Sequence, residues 1–202
     1  MFRKISCTAL ILCAAFASAI AAEVFKIDST STPPENSNVT KTDAGFVFKP
    51  DSTWNIPNQP FDGQAGSFEI DLVPDFQPLD AGMKRRINAI CDINGSAHPG
   101  IVINQYSDRK MQLLNFTIFN SSKKAFVAQK LFDFVPGREY KIKAQWDREK
   151  ITLSVNGQII NTVKLEGTLK SNRSLRLRLG AVKGQRQSLP MTLKRFVFTN
   201  SK

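Results

Sequence analysis

The segment Glu139–Gly167, EYKIKAQWDREKITLSVNGQIINTVKLEG, decides the fold of this chain. Apolar and polar residues alternate through 140–146 and again through 151–155, and this period of two predicts strands with one buried face. Asn156-Gly157 then supplies the two positive-φ positions of a tight hairpin turn, so residues 158–165 are predicted to return as the partner strand. Two adjoining hairpins cannot bury their apolar faces alone, so a second sheet must cover them.

The same alternation recurs at short, regular intervals along the rest of the chain, and no segment has a convincing helical period. This pattern predicts an all-β fold, an antiparallel β-sandwich or barrel of about twelve strands. Residues 51–66 are rich in Pro, Asn, Asp and Gly and are predicted to form a loop. The strands are predicted at 24–27, 46–48, 67–73, 84–93, 101–106, 110–120, 125–134, 140–146, 151–155, 158–165, 173–180 and 191–199.

Residues 1–22 are typical of a secretory signal peptide. Arg3 and Lys4 precede a mostly apolar run, and small residues at 17–21 then provide two overlapping A-x-A cleavage patterns. We therefore expect a secreted or periplasmic protein with no transmembrane segment. Residues 23–43 are predicted to form a short N-terminal strand followed by a flexible loop, and residues 44–202 a single domain.

The chain is basic, with 28 Lys and Arg against 17 Asp and Glu and a net charge of +11. Removal of Arg3 and Lys4 with the signal peptide would lower this charge by two, to +9. Such an excess favours anionic partners such as acidic glycans or anionic membrane surfaces. Export argues against nucleic acid as the partner. A basic surface that only keeps the protein soluble is an equally good interpretation.

Cysteine and histidine content argues against thiol and zinc chemistry. Cys7 and Cys13 would leave with the signal peptide, so only Cys91 remains, and we expect it to be a small buried hydrophobe on the same strand face as Ile87, Ala89 and Ile93. The only histidine, His98, lies in a predicted Gly- and Pro-containing loop. One cysteine and one histidine cannot form a zinc site of the usual kinds, and no cofactor is predicted.

Four residues are candidates for ligand binding. Arg176 and Arg178 alternate outward from an apolar strand face, where guanidinium groups could hold the sulfates or carboxylates of an anionic glycan. Trp54 could stack on a sugar ring, although a loop tryptophan more often anchors its loop to the core. Tyr106 is the fourth candidate. Further basic residues lie nearby in sequence at Lys170, Arg173, Lys183 and Arg186, and a second basic cluster comprises Lys84, Arg85 and Arg86.

Three segments resemble the laminin-G-like domains of the concanavalin A-like lectin/glucanase superfamily. Gly66–Asp75 is similar to an early Gly-Thr-apolar-Glu strand that ends in a Pro-Asp corner, and Tyr140–Gly157 to the central strand pair. Leu175–Gly180 and Lys194–Phe198 resemble the last two strands. The resemblance implies a jelly-roll of two antiparallel sheets over residues 44–199 that binds carbohydrate or extracellular protein, in some relatives with calcium. Asp51, Asp62, Asp75 and Asp80 are the loop carboxylates that could serve such an ion.

The resemblance also suggests an enzyme. Retaining glucanases of this superfamily carry two glutamates and an aspartate on one strand, and Glu69 and Asp71 match the first half of that motif. Val73 and Pro74 stand where the second glutamate is required, so one of the two carboxyl groups of the mechanism is missing. His98 and Tyr106 could serve a polysaccharide lyase of similar fold, but a single loop histidine is weak support. We therefore expect a non-catalytic binding module, with a glycoside hydrolase as the alternative.

Overall fold

The structure is a computed structural model that describes residues 21–75, 85–93, 100–108, 111–169, 171–180 and 187–201. Within these ranges it contains fifteen strands and no helix. The strands are β1 Ala21–Ile27, β2 Val39–Thr42, β3 Gly45–Phe48, β4 Thr53–Phe61, β5 Gly66–Pro74, β6 Arg85–Ile93, β7 Gly100–Asp108, β8 Gln112–Phe119, β9 Ala125–Leu131, β10 Tyr140–Trp146, β11 Lys150–Val155, β12 Gln158–Lys164, β13 Asn172–Gly180, β14 Gln187–Ser188 and β15 Met191–Ser201.

The strands form two sheets that enclose one apolar core. The eight-stranded sheet has the order β12-β11-β10-β5-β15-β3-β2, with β1 also pairing with β15. The seven-stranded sheet has the order β4-β13-β6-β7-β8-β9, with β14 pairing with β6. All these pairs are antiparallel except the short parallel pair of β14 and β6. The prediction of an all-β antiparallel sandwich with jelly-roll architecture is confirmed.

The two hairpins predicted at 139–167 form three adjacent strands at one edge of the eight-stranded sheet. β10 pairs with β11 and β11 with β12, and Asn156 and Gly157 occupy the β11–β12 turn with φ of 51° and 80°. Trp146 ends β10 in the core, where it is 3% exposed. Its ring lies 5.2 Å from that of Phe61 and 5.4 Å from that of Phe68, so it joins both sheets.

Residues 53–61, predicted to lie in a loop, instead form strand β4, so that prediction was wrong. Trp54 and Ile56 are buried whereas Asn55 between them is exposed, which is the alternation of a half-buried strand. The loop prediction was based partly on Pro57 and Pro60, because proline lacks the N–H that a central strand needs. They are tolerated because β4 is the edge of the seven-stranded sheet, where a missing N–H breaks no central ladder.

The predicted shared face of Ile87, Ala89, Cys91 and Ile93 was also wrong. The register between β6 and β7 shifts between Ala89 and Cys91, a β-bulge that adds one residue to β6. Cys91 and Ile93 therefore point into the core, whereas Ile87 and Ala89 lie on the outer face. Cys91 itself is fully buried, as predicted, and burial raises the pKa of its thiol well above the ordinary value.

The N-terminal strand β1 runs along the second half of β15, from Ala21 opposite Ser201 to Ile27 opposite Phe196. The segment that follows, predicted to be a flexible loop, also contains β2, which pairs with β3. No helix in the described part of the chain has the length and hydrophobicity needed to cross a bilayer. Several predicted features lie outside the described residues: most of the signal peptide, Asp80, Lys84, His98, Lys170, Lys183 and Arg186.

Candidate functional site

The two candidate catalytic carboxylates lie on the outer face of the eight-stranded sheet. Glu69 and Asp71 point outward from the middle of β5, and Lys143 and Lys141 lie opposite them on β10. On the other side, β15 places Arg195 opposite Asp71. A shallow groove of about 510 Å³ passes over them, and its lining includes Gln145, Thr152, Ser154 and the exposed Ile159.

Both carboxylates face cations. Glu69 accepts from Lys143 Nζ at 3.0 Å and from Arg195 Nη1 at 3.2 Å, and Arg195 Nη1 also lies 3.8 Å from Asp71 Oδ2. Partial burial raises the pKa of Glu69, but Lys143 and then Arg195 outweigh it, so that pKa lies below its ordinary value. At Asp71, the effect of burial exceeds the opposing effects of Arg195 and Lys141, so the pKa of Asp71 lies above its ordinary value. Glu69 is therefore paired with two basic residues, Lys143 directly opposite on β10 and Arg195 diagonally across on β15.

The predicted ligand-binding residues do not converge on one point. Trp54 is 4% exposed and sits edge-on to Phe46 at 5.0 Å, so its ring belongs to the core. Arg178 lies on the outer face of the seven-stranded sheet and donates to Asp92 Oδ1 at 3.3 Å. Arg176 is exposed two residues earlier on β13. Tyr106 is half-buried on the same outer face, but toward the other end of the sheet.

The outer face of the seven-stranded sheet carries two rows of side chains that cross β6 to β9. The register places Asn104, Asn115 and Gln129 opposite one another, and we call these three residues the amide row. Two residues away along each strand, and so on the same face, lie Ile87, Tyr106, Leu113 and Leu131, which we call the apolar row. The rows are about 7 Å apart along the strands and their members about 5 Å apart across them.

The amide row is only partly satisfied by its own hydrogen bonds. Asn115 Nδ2 donates to Asn104 Oδ1 at 2.9 Å, which fixes both side chains. Asn115 Oδ1 has no hydrogen-bond partner in the described structure, and the same holds for Arg178 Nε farther along this face and for the buried Asn88 Oδ1. All three atoms are shielded from solvent, so a ligand that approaches this face contacts the exposed Gln129 before Asn115.

Accessibility increases along the amide row from β7 to β9: Asn104 is buried, Asn115 is half-buried and Gln129 is exposed. In the apolar row the two end residues, Ile87 and Leu131, are exposed, and Leu131 is the more exposed of the two. Both rows are therefore accessible together at β9. The face offers planar amide donors and acceptors beside aliphatic and phenolic surface, a combination suited to hydroxyl-rich rings with apolar C–H faces.

A second depression, of about 390 Å³, lies where the loops 62–65, 147–149 and 165–169 meet at one end of the sandwich. Asp62 Oδ1 there accepts from Gln64 N and Ser171 Oγ, and Asp147 Oδ1 caps its own turn. Across the described residues, His, Cys, Asp and Glu form no group of three or more that could hold a metal ion. Of the remaining loop carboxylates considered for calcium, Asp51 accepts from Asn38 Nδ2 and Asp75 is exposed.

Sequence analysis did not identify the amide and apolar rows as a site. Asn104, Asn115 and Gln129 come from three strands, and only the cross-strand register brings them together. The available signal was local: Asn115 sits at an outward position of a strongly alternating strand, where an amide is less expected than Thr or a charge.

Comparisons with known proteins give matches in structure only. No family model matches the sequence, and no curated protein matches it. Domain 4 of AbnA, a GH43 extracellular arabinanase from Geobacillus stearothermophilus solved in complex with arabinotriose, superposes with a TM-score of 0.55 at 10% identity over 81% of this chain and 74% of that one. The tailspike protein 2 of bacteriophage CBA120 gives 0.54 at 9% identity over 87% of this chain and 28% of that one.

Mouse laminin α1 domains LG4-5 give a TM-score of 0.50 at 13% identity, over 87% of this chain and 45% of that one. The chain thus spans less than half the length of the laminin and tailspike chains that it matches. At sequence identities this low, the similarity lies in the backbone fold and not in the side chains. The fold is the antiparallel β-sandwich of jelly-roll type that the sequence predicted, and the chain shares this architecture with the laminin LG domains.

Proposed function

We propose that this chain is an exported, non-catalytic binding module of the laminin-G-like type, with a carbohydrate ligand on the outer face of the seven-stranded sheet. The observation that carries the proposal is the part of the two rows on β8 and β9, where the exposed amide of Gln129 lies on the same face as Leu113 and the exposed Leu131. A sugar hydroxyl can hydrogen-bond to the Gln129 amide while the ring covers the apolar row. An extracellular protein is the second choice of ligand.

Two further observations support a carbohydrate ligand. The arabinanase domain of similar architecture was solved in complex with arabinotriose, which is a precedent for this scaffold rather than for a particular sugar. On this chain, the outer face of the seven-stranded sheet supplies uncharged polar groups, the amides of Asn115 and Gln129. It also supplies an ion pair between Arg178 and Asp92. Because Asp92 already neutralises part of the Arg178 charge, this face does not depend on an anionic ligand.

Binding to immobilised glycans, followed by titration calorimetry of the hits, tests the proposal. Gln129→Ala is expected to weaken binding about tenfold, since the exposed amide that hydrogen-bonds to the ligand is lost. Gln145→Ala, a similar amide change in the groove of the other sheet, is the matched control and should leave affinity unchanged. No glycan bound at all, or sensitivity to Gln145→Ala alone, would overturn the proposal.

Export is the second part of the proposal, and it rests on the signal-like residues 1–22. The strand β1 begins at Ala21 and pairs with the end of β15. Cleavage after Ala19 or Ala21 leaves the six residues from Ala22 to Ile27 available for this pairing. Mass spectrometry of the protein from the periplasm or medium should find one of these two new N-termini, and an uncleaved intracellular chain would contradict export.

A glycoside hydrolase remains the second candidate, on one observation. Glu69 and Asp71 lie in the same groove with pKa shifts of opposite sign, as an ionised nucleophile and a protonated acid would. Against it, Val73 and Pro74 stand where the motif requires its second glutamate, and Glu69 is paired with both Lys143 and Arg195. A hydrolysis screen decides: activity that Glu69→Gln abolishes would establish the enzyme.

A further inference from the structure

We infer that the site on the seven-stranded sheet binds the interior of an uncharged linear glycan that lies along strands β8 and β9. This inference rests on the carbohydrate-binding function proposed above and specifies its ligand class, a sugar chain instead of a single terminal sugar. It depends on the order and the accessibility of the outward side chains along β9.

Apolar side chains lie on both sides of the amide row. Leu131 lies opposite Leu113 on one side, and Val127 lies opposite Thr117 on the other. Because residues two apart share a strand face, Val127, Gln129 and Leu131 follow one another along β9 at intervals of about 7 Å. We call these three residues the β9 strip, and it presents an apolar group, an amide and a second apolar group in line.

Accessibility sets the direction in which a ligand lies on this face. Val127 is 38% exposed, Leu131 is 63% exposed, and Gln129 between them is also exposed. Across the sheet, two of the three rows lose their accessible surface at β7, because Val102 and Asn104 are buried. A ligand that lies along the strands therefore keeps contact with the whole β9 strip, whereas one that crosses the strands loses side-chain contacts beyond β8.

The β9 strip is held in place although β9 is an edge strand. Phe126 and Ala128 alternate with the strip residues and are buried in the core. At the open edge, Asn161 Nδ2 of β12 donates to the backbone carbonyl oxygen of Gln129 at 2.7 Å. The backbone is thus fixed by its own sheet and by the other one, and such preorganisation lowers the entropic cost of binding.

The length and the charge of the strip define the ligand. Val127 and Leu131 are four residues apart, or about 13 Å along the strand. A single sugar ring is too short to contact both, so only an oligosaccharide covers both apolar groups and hydrogen-bonds to Gln129 between them. The side chains of these three rows on β8 and β9 are all uncharged, although the chain has a net charge of +11, so they favour an uncharged ligand.

Oligosaccharides of increasing length test the inference. Cello-, xylo-, malto- and arabino-oligosaccharides, from monosaccharide to hexasaccharide, are titrated by calorimetry. We expect affinity to rise about tenfold from the disaccharide to the length that covers both apolar groups, and then to stay constant. A monosaccharide that binds as tightly as its hexasaccharide would overturn the inference but leave carbohydrate binding in place. Absence of binding to every series and to every immobilised glycan would overturn both.

A variant at one end of the strip gives a second readout. Val127→Ser should weaken hexasaccharide binding several-fold and leave disaccharide binding unchanged, because the shorter ligand still contacts Gln129 and Leu131. Ile159→Ser is the matched control: Ile159 is 64% exposed in the groove of the other sheet, and its loss should change neither affinity. Both side chains are exposed, so the fold should tolerate both changes. Equal weakening of the disaccharide and the hexasaccharide by Val127→Ser would overturn the inference.

The competing occupant of the β9 strip is a second copy of this chain. Sedimentation velocity distinguishes the two, and we expect a monomer at the concentrations used for calorimetry. A dimer that Leu131→Ser dissociates would make the strip a subunit interface and would overturn the inference.

Discussion

Trp146 Nε1 donates a hydrogen bond to the backbone carbonyl oxygen of Asp62, 3.1 Å away. This bond ties the end of β10 to the β4–β5 loop, which crosses from one sheet to the other. Because the indole ring is also stacked on Phe61, Trp146 both fills space in the core and holds the β4–β5 loop in position. Two-sheet folds need such ties, since each sheet alone exposes one apolar face.

Trp146→Phe should therefore destabilise the protein even though an aromatic ring remains in the core. The Asp62 carbonyl would lose its donor, at a cost of about 1–3 kcal/mol, and the smaller ring would leave a void. Urea unfolding followed by circular dichroism measures the difference. An unchanged midpoint would show that the hydrogen bond contributes nothing and that water replaces it freely.

Close packing against the same tryptophan makes Gly66 intolerant of a side chain. A methyl group there would lie 2.3 Å from Trp146 Cζ2 and 2.6 Å from the Thr199 carbonyl oxygen, and neither can move without shifting a strand. Gly66→Ala should cost about 2–3 kcal/mol or prevent folding. Gly137→Ala is the control, because that glycine has a φ of 78° but no atom within 4 Å, so only backbone strain of about 1 kcal/mol applies. Equal midpoint shifts for the two variants would contradict the packing argument.

The strands that local alternation specifies were predictable, and the elements that depend on pairing partners were not. β10 to β12 follow from side-chain period and the Asn156-Gly157 turn alone. The assignment of β4 required knowing that it is an edge strand, because only there are Pro57 and Pro60 compatible with a ladder.

The candidate site was harder still to predict. The bulge in β6 reverses the faces that strict alternation assigns to Ile87 and Ala89, and it moves Ile87 into the apolar row. Asn104, Asn115 and Gln129 are far apart in sequence and meet only through the register. In contrast, Lys143 and Arg195, which pair with Glu69, are the kind of cross-strand partner that sheet pairing favours for an outward carboxylate.

Among the interactions that join the β8–β9 turn to the loop after β12, two that involve side chains should differ greatly in strength. Asn120 is 4% exposed; its Nδ2 donates to the Glu166 carbonyl oxygen, and its Oδ1 accepts from the backbone N–H groups of Ser122 and Lys124. Asn120→Ala should cost about 2 kcal/mol or more, since three part-buried hydrogen bonds are lost together.

The second link is the ion pair between Lys124 and the Glu166 side chain, both exposed. Glu166→Gln, which removes this pair and keeps the backbone contact to Asn120, should change the free energy of unfolding by less than about 1 kcal/mol. Chemical denaturation of the two variants in one buffer gives the comparison. The interpretation fails if the exposed pair proves to be the stronger of the two links.

The two carboxylates of β5 should affect acid stability in opposite directions. The pKa of Glu69 is below its ordinary 4.5 in the folded protein, so its stabilising contribution is present above that value and is lost as the pH falls through the folded pKa. The pKa of Asp71 is above its ordinary 3.8, so folding favours the protonated form, and this contribution is lost as the pH rises through the folded pKa.

At neutral pH, Glu69→Gln should therefore destabilise the protein and Asp71→Asn should leave it unchanged or slightly more stable. Both differences should shrink as the pH is lowered through the folded-state pKa values of the two carboxyls, because each carboxyl then becomes protonated. Urea midpoints measured from neutral to acidic pH test this, and a loss of stability in Asp71→Asn at neutral pH equal to that in Glu69→Gln would show that Arg195 stabilises both carboxylates in their ionised form.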